Sequence, residues 1–203
     1  MKTSANRDLF EYWNQRRGHR MAPERGDIEP EAIRHVLGDC FFLAADGTGS
    51  FPFRLAGTRL CALFGRELKS DSFFNLWDKP DQTTLRKLMN VVVEEKVGVV
   101  AQAIGHTTDG APLAINLELL LLPLLQRGPL DARVLGAFVP LTVPFWLGAR
   151  FVGPLELGVL RHIGPAVDQE PAPRLLAAAP VAPARPGGQV RRNFVVYDGG
   201  RTD

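Results

Sequence analysis

Between residues 40 and 141 the apolar repeat changes from two residues to about 3.6 and back to two. In FPFRLAG (51–57), Phe51, Phe53 and Leu55 alternate with other residues. With CFFLAA (40–45) and the DGTGS turn cluster between them, this reads as a β-hairpin. Pro52 cannot donate a ladder hydrogen bond and places its strand at an edge. Two clipped helical pieces follow, in GTRLCALFGREL and KSDSFFNLW. In PDQTTLRKLMNVVVEEKVG (80–98), Leu85, Leu88, Met89 and Val92 recur at i, i+3, i+4 and i+7, so one helical stripe faces a core. Asp78 or Asp81 favours the positive end of that helix and Gly98 ends it. The period then returns to two through VVAQAIGHTTDG, LAINLELLLL and VLGAFVPL, with a hairpin turn at Asp109–Gly110. Two strands separated from three by helices do not make a βαβ repeat. The order predicts an α+β fold with a five-stranded antiparallel sheet and short helices on one face.

The flanks divide differently. In RDLFEYWNQRRG, Leu9, Phe10 and Trp13 share a helical stripe that Gly18 terminates, and PEAIRHVL (30–37) reads as a second short helix. The expected division is a helical flank over 1–38, a body over 39–145 and a tail over 146–203. Residues 164–190 are rich in Ala and Pro without a periodic core, which predicts that much of the tail is disordered.

Charge and motifs exclude several function classes. A net charge of +2 is far below that of a nucleic-acid polyelectrolyte binder, and Glu24, Asp27 and Glu29 interrupt the basic run Arg16, Arg17, His19, Arg20, Arg25. Nucleic acid is therefore not an expected partner. The two cysteines, Cys40 and Cys61, have neither zinc nor redox spacing and read as small buried hydrophobes. No nucleophile elbow, Walker loop, HExxH or kinase motif occurs, and the turn and helix-end aspartates are explained by capping, so no enzyme is expected. The most apolar run contains Asn116, Glu118 and Pro123 and is too short to span a bilayer as a helix. With no signal-peptide core at the start, the expectation is a cytoplasmic protein without membrane insertion.

GTRLCALFGREL followed by KSDSFFNLW resembles the helices after the second strand of PAS domains, and DGAPLAINLELLLLPL resembles their Asp-Gly hairpin. The opening YWNQRRG, PERGDI and PEAIRHVL is similar to that of small single-domain bacterial PAS proteins, and the resemblance runs to Pro144. It implies a non-enzymatic sensory or signalling adaptor that binds a small ligand or a protein partner, in a pathway such as motility or cell-cycle control. A cavity between sheet and short helices would be lined by Leu55, Leu60, Leu63, Phe64, Phe73, Phe74, Leu88, Val92, Ile115 and Leu117. The same residues can instead simply fill the core. Such proteins often dimerise through an N-terminal helix, so Phe10 and Trp13 are candidate homodimer contacts, with docking on their own sheet as the alternative. A ligand-free dimerisation scaffold, or a haem- or flavin-bearing sensor, are the other readings. The cofactor is unknown: 80–98 lacks the histidine that often holds haem in this family, and Cys61 lies in LCALFG rather than a flavin-adduct Asn-Cys-Arg-Phe motif.

Overall fold

The computed structural model describes residues 1–125 and 133–164, and the backbone of Gln189–Arg191 and Phe194–Val196. It divides into two units, Met1–Ala166 and Val167–Asp203. The second contributes one antiparallel pair, Gln189–Arg191 with Phe194–Val196. The expected disorder over much of the tail falls largely outside the described residues.

The first unit is α+β and antiparallel. Helix α1 (Ser4–Arg17) begins where the Thr3 side chain accepts from Asn6 N–H, and ends at Gly18, whose φ of 57° lies in the left-handed region. Strands β1 (Cys40–Ala44) and β2 (Phe53–Ala56) precede α2 (Thr58–Phe64), a 3-10 turn over Phe73–Leu76, and α3 (Lys79–Glu94). Strands β3 (Gly98–His106), β4 (Ala114–Leu124) and β5 (Arg133–Pro140) follow, then β6 (Glu156–Ile163). The sheet order is β2-β1-β5-β4-β3-β6.

Two expectations need correction. The sheet has six strands, not five, because β6 pairs antiparallel with β3 from within the stretch read as tail. Its period is hidden by a bulge: while β3 advances from Ala101 to Ala103, its partner moves from Leu160 to Leu157, one residue too many. Residues 30–37 form no α-helix but 3-10 turns at Pro30–Ile33 and Leu37–Asp39, with Ile33 and Val36 buried. At α3 Asp78 stands at the N-cap without a side-chain cap bond, while Asp81 lies in the first turn, at the positive end as expected, and its Oδ2 accepts from Leu157 N–H of β6 at 2.7 Å.

Both sheet faces are covered. On one, α2 and α3 bury Leu60, Leu63, Leu85, Leu88, Met89 and Val92 against Ile115, Leu117, Leu119 and Leu121. On the other, α1 lays Leu9 and Trp13 over Leu120, Leu122 and Leu124. This explains why β4 stops alternating after Glu118: from Leu119 onward both faces are dry. Gly136 in β5 lies opposite Phe41 in β1, and a Cβ there would meet the Phe41 ring at 2.2 Å. Only glycine lets that ring cross the strand pair.

Candidate functional site

The space between sheet and helices is filled mainly by aromatic rings. Phe73 sits in their middle, 5.9 Å from Phe41, 6.2 Å from Phe53, 5.8 Å from Trp77 and 6.3 Å from Phe138 between ring centroids. These distances lie in the range where rings attract edge-on or offset. Phe41, Phe53, Phe73 and Phe138 are at most 2 % exposed. One polar atom stands out: Trp77 is buried, and its Nε1–H finds no acceptor among the described residues. A buried donor in that state costs about 1–3 kcal/mol.

Nine of the ten residues expected to wall a cavity are buried in this layer: Leu60, Leu63, Phe64, Phe73, Phe74, Leu88, Val92, Ile115 and Leu117. Leu55 is not, being 43 % exposed. A bulge reverses it: Leu43 pairs with Phe53 but Phe42 with Leu55, so Arg54 is an extra residue on β2. Leu55 therefore shares a face with Phe42, on the α1 side. Phe41, Phe53, Trp77 and Phe138 complete the layer. Phe41 and Phe138 carried no sequence signal, since both lie in strands whose two faces are apolar.

Where the aromatic layer ends, a groove of about 280 Å³ opens between α2 and β5. Its walls include Leu60, Leu63, Phe138, Val143 and Leu147, and Asp39 and Arg59 stand among them. Arg59 holds Asp39 through two bonds, Nε to Oδ1 at 2.8 Å and Nη2 to Oδ2 at 2.6 Å. The Asp39 carboxylate raises the Arg59 pKa, against the opposing effect of burial. The chain after β5 closes over α2: Val152 N–H donates to Leu63 O at 2.9 Å, and Phe151 rests on Gly65. This loop carries exposed apolar side chains, Val143 at 71 % and Phe145 at 95 %.

The candidate contacts on α1 separate. Trp13 is 1 % exposed and its Nε1–H donates to Pro123 O at 2.8 Å, so it covers the sheet of its own chain. Phe10 stacks beside it at 6.0 Å and remains half-buried. Helix α1 is also held at its start. Lys2 N–H donates to Glu118 Oε1, and Thr3 N–H, Thr3 Oγ1 and Asn6 Nδ2 all donate to Glu118 Oε2.

No group of three or more His, Cys, Asp or Glu side chains able to hold a metal occurs among the described residues. His106 and His162 are exposed, and exposed His35 lies 3.5 Å from Asp8. No helix among the described residues is long and apolar enough to cross a membrane.

The strand order β2-β1-β5-β4-β3, roofed on one face by α2 and α3, is a PAS-like α+β arrangement. The PAS domain family model matches residues 1–139, and the chain belongs to the PAS domain family. A sensory or signalling role in general goes with that membership. The match ends in β5, so the loop over α2 and strand β6 lie beyond it. No curated protein matches the chain.

Proposed function

We propose that this chain is a non-enzymatic PAS-type signalling adaptor, acting in the cytoplasm of a bacterium, in which the groove between α2 and β5 receives a small ligand or a partner's side chain. One observation carries this reading: beside a filled aromatic layer, Leu60, Leu63 and Phe138 line an open groove. Occupation there acts on α2 and on the loop hydrogen-bonded to it, and so changes the exposed surface around Val143 and Phe145. A motility or cell-cycle pathway fits such an adaptor. The proposed body keeps residues 39–145 and adds β6, with 1–38 as its flank.

Native mass spectrometry of the full chain from its own host tests the ligand form. The expected result is a retained small molecule, lost in a folded Leu63→Trp variant. Retention at wild-type occupancy in that variant overturns the assignment to this groove.

The exposure of Phe145 favours a second reading, a homodimer or a complex with another signalling protein. Light scattering on the wild type and on Phe145→Asp checks it. A dimer that the substitution dissociates supports the surface, and an unchanged mass rejects it.

A further inference from the structure

A second cavity, of about 500 Å³, lies away from the groove, between the segment before α1 and strands β3, β4 and β6. It is within the size range of small-molecule sites. Val100 and half-buried Leu141 give it apolar walls on the α1 side of the sheet, and Val159, 82 % exposed, stands at its rim.

Its position follows from the β6 bulge. The extra residue falls opposite Gln102, which is itself a lining residue, and Gly158 packs against the Gln102 side chain. The bulge lies where Val159, Leu160 and Arg161 border the cavity. Bulges at sheet edges commonly re-aim side chains in this way.

The charges are uneven. Glu118 borders the cavity, but four donors from Lys2, Thr3 and Asn6 already occupy its carboxylate. The lining carries the exposed cationic side chains of Lys2 and Arg161, beside the Met1 terminus, and neither side chain has an ion-pair partner among the described residues. Gln102 adds an amide, which donates to Asn116 Oδ1 at 3.1 Å. Apolar walls with two unpaired cations at the opening suit a ligand with a hydrocarbon body and one anionic end.

We infer that this cavity is a binding site for a small amphipathic carboxylate, its hydrocarbon part against Val100, Leu141 and Val159 and its anionic end between Lys2 and Arg161. The site is independent of the groove between α2 and β5. Because Lys2 N–H also donates to Glu118, a ligand held by the Lys2 side chain steadies the start of α1 on the sheet.

Octanoate is the probe, titrated calorimetrically into the full chain, with 1-octanol and octylammonium as neutral and cationic controls. The expected result is saturable 1:1 binding of octanoate, at least fivefold tighter than either control and weaker in high salt. Arg161→Glu and Lys2→Glu, both at exposed positions, are each expected to weaken it at least fivefold with unchanged circular dichroism. Leu63→Trp leaves it unchanged, so failure of the groove assignment is distinguishable from failure here. Absence of saturable octanoate binding, equal affinity for a control, or wild-type affinity in both charge variants overturns the proposal. Loss in Leu63→Trp alone does so too, by placing the probe in the groove.

Discussion

Thr3 and Glu118, 115 residues apart, are joined twice: the Thr3 N–H and Oγ1 both donate to Glu118 Oε2, at 3.0 and 2.7 Å. Glu118 is 4 % exposed, so a carboxylate on a central strand fixes where the first helix begins. Glu118→Gln turns an amide N–H₂ toward some of these donors. It is expected to cost about 2 kcal/mol in urea unfolding and to speed hydrogen exchange in the first turn of α1.

The same bonds predict a pH dependence. Burial alone raises the Glu118 pKa, but the Lys2, Thr3 and Asn6 donors outweigh it, and the folded value lies below the ordinary one. The unfolded chain takes up this proton more readily. The stabilisation is therefore complete above about pH 4.3, the unfolded value, and is lost as pH falls through the lower folded value. Urea midpoints for wild type and Glu118→Gln are expected to converge as the medium is acidified, while a constant difference refutes the assignment.

Trp13 closes the other end of the α1 contact. Trp13→Phe keeps most of the apolar area but deprives Pro123 O of its donor, for an expected loss of about 1–2 kcal/mol. Trp13→Ala, which also opens a cavity, is expected to lose about 3–5 kcal/mol. Since Trp13 is sealed within its own chain, neither substitution should alter the mass in solution. Chemical denaturation and light scattering read the two effects separately.

Gly136 and Phe41 offer a test of close approach. Gly136→Ala forces a methyl group into the Phe41 ring, which cannot retreat because Phe53, Phe73 and Phe138 surround it. Overpacking of this kind costs about 1–3 kcal/mol. Phe41→Leu in the same chain should recover part of the loss, and a thermal melt of the three variants is the measurement. Additive losses would show that the ring is not the obstacle.

The two cysteines should differ in reactivity. Burial, with the Asp39 charge beside it, pushes the Cys40 thiol up to about 12, so it carries almost no thiolate at neutral pH. Cys61 is half-exposed on α2. Iodoacetamide at pH 8 is expected to modify one site per folded chain, Cys61, and both sites after unfolding. Peptide mapping that finds Cys40 modified in the folded chain contradicts this environment.

Much of this architecture is legible in the sequence, and the exceptions share a cause. Leu85, Leu88, Met89 and Val92 announce α3 because one of its sides is dry and the other wet. The first half of β4 alternates for the same reason, with Asn116 turned away from the core that holds Ile115 and Leu117. Two strands break the rule through a single extra residue each. Arg54 turns Leu55 out of the layer its spacing assigns to it, and the bulge near Gly158 removes the period by which β6 could be recognised. Strand β6 is also an edge with much of its surface exposed, so burial imposes little on its composition. The groove was half legible: Leu60 and Leu63 follow from the α2 pattern. Phe138, Val143 and Leu147 reach it through a return of the chain that no local spacing encodes.

Covering the sheet on both sides has a mechanical consequence. Leu117 belongs to the layer under α2 and α3, while its neighbour Glu118 holds the start of α1, so successive residues of one strand serve opposite storeys of the molecule. A strand advances only about 3.3 Å per residue. Any tilt of β4 that accommodates a guest on one side must reposition the helix anchored on the other, and the partition between the two compartments is itself the shaft that links them.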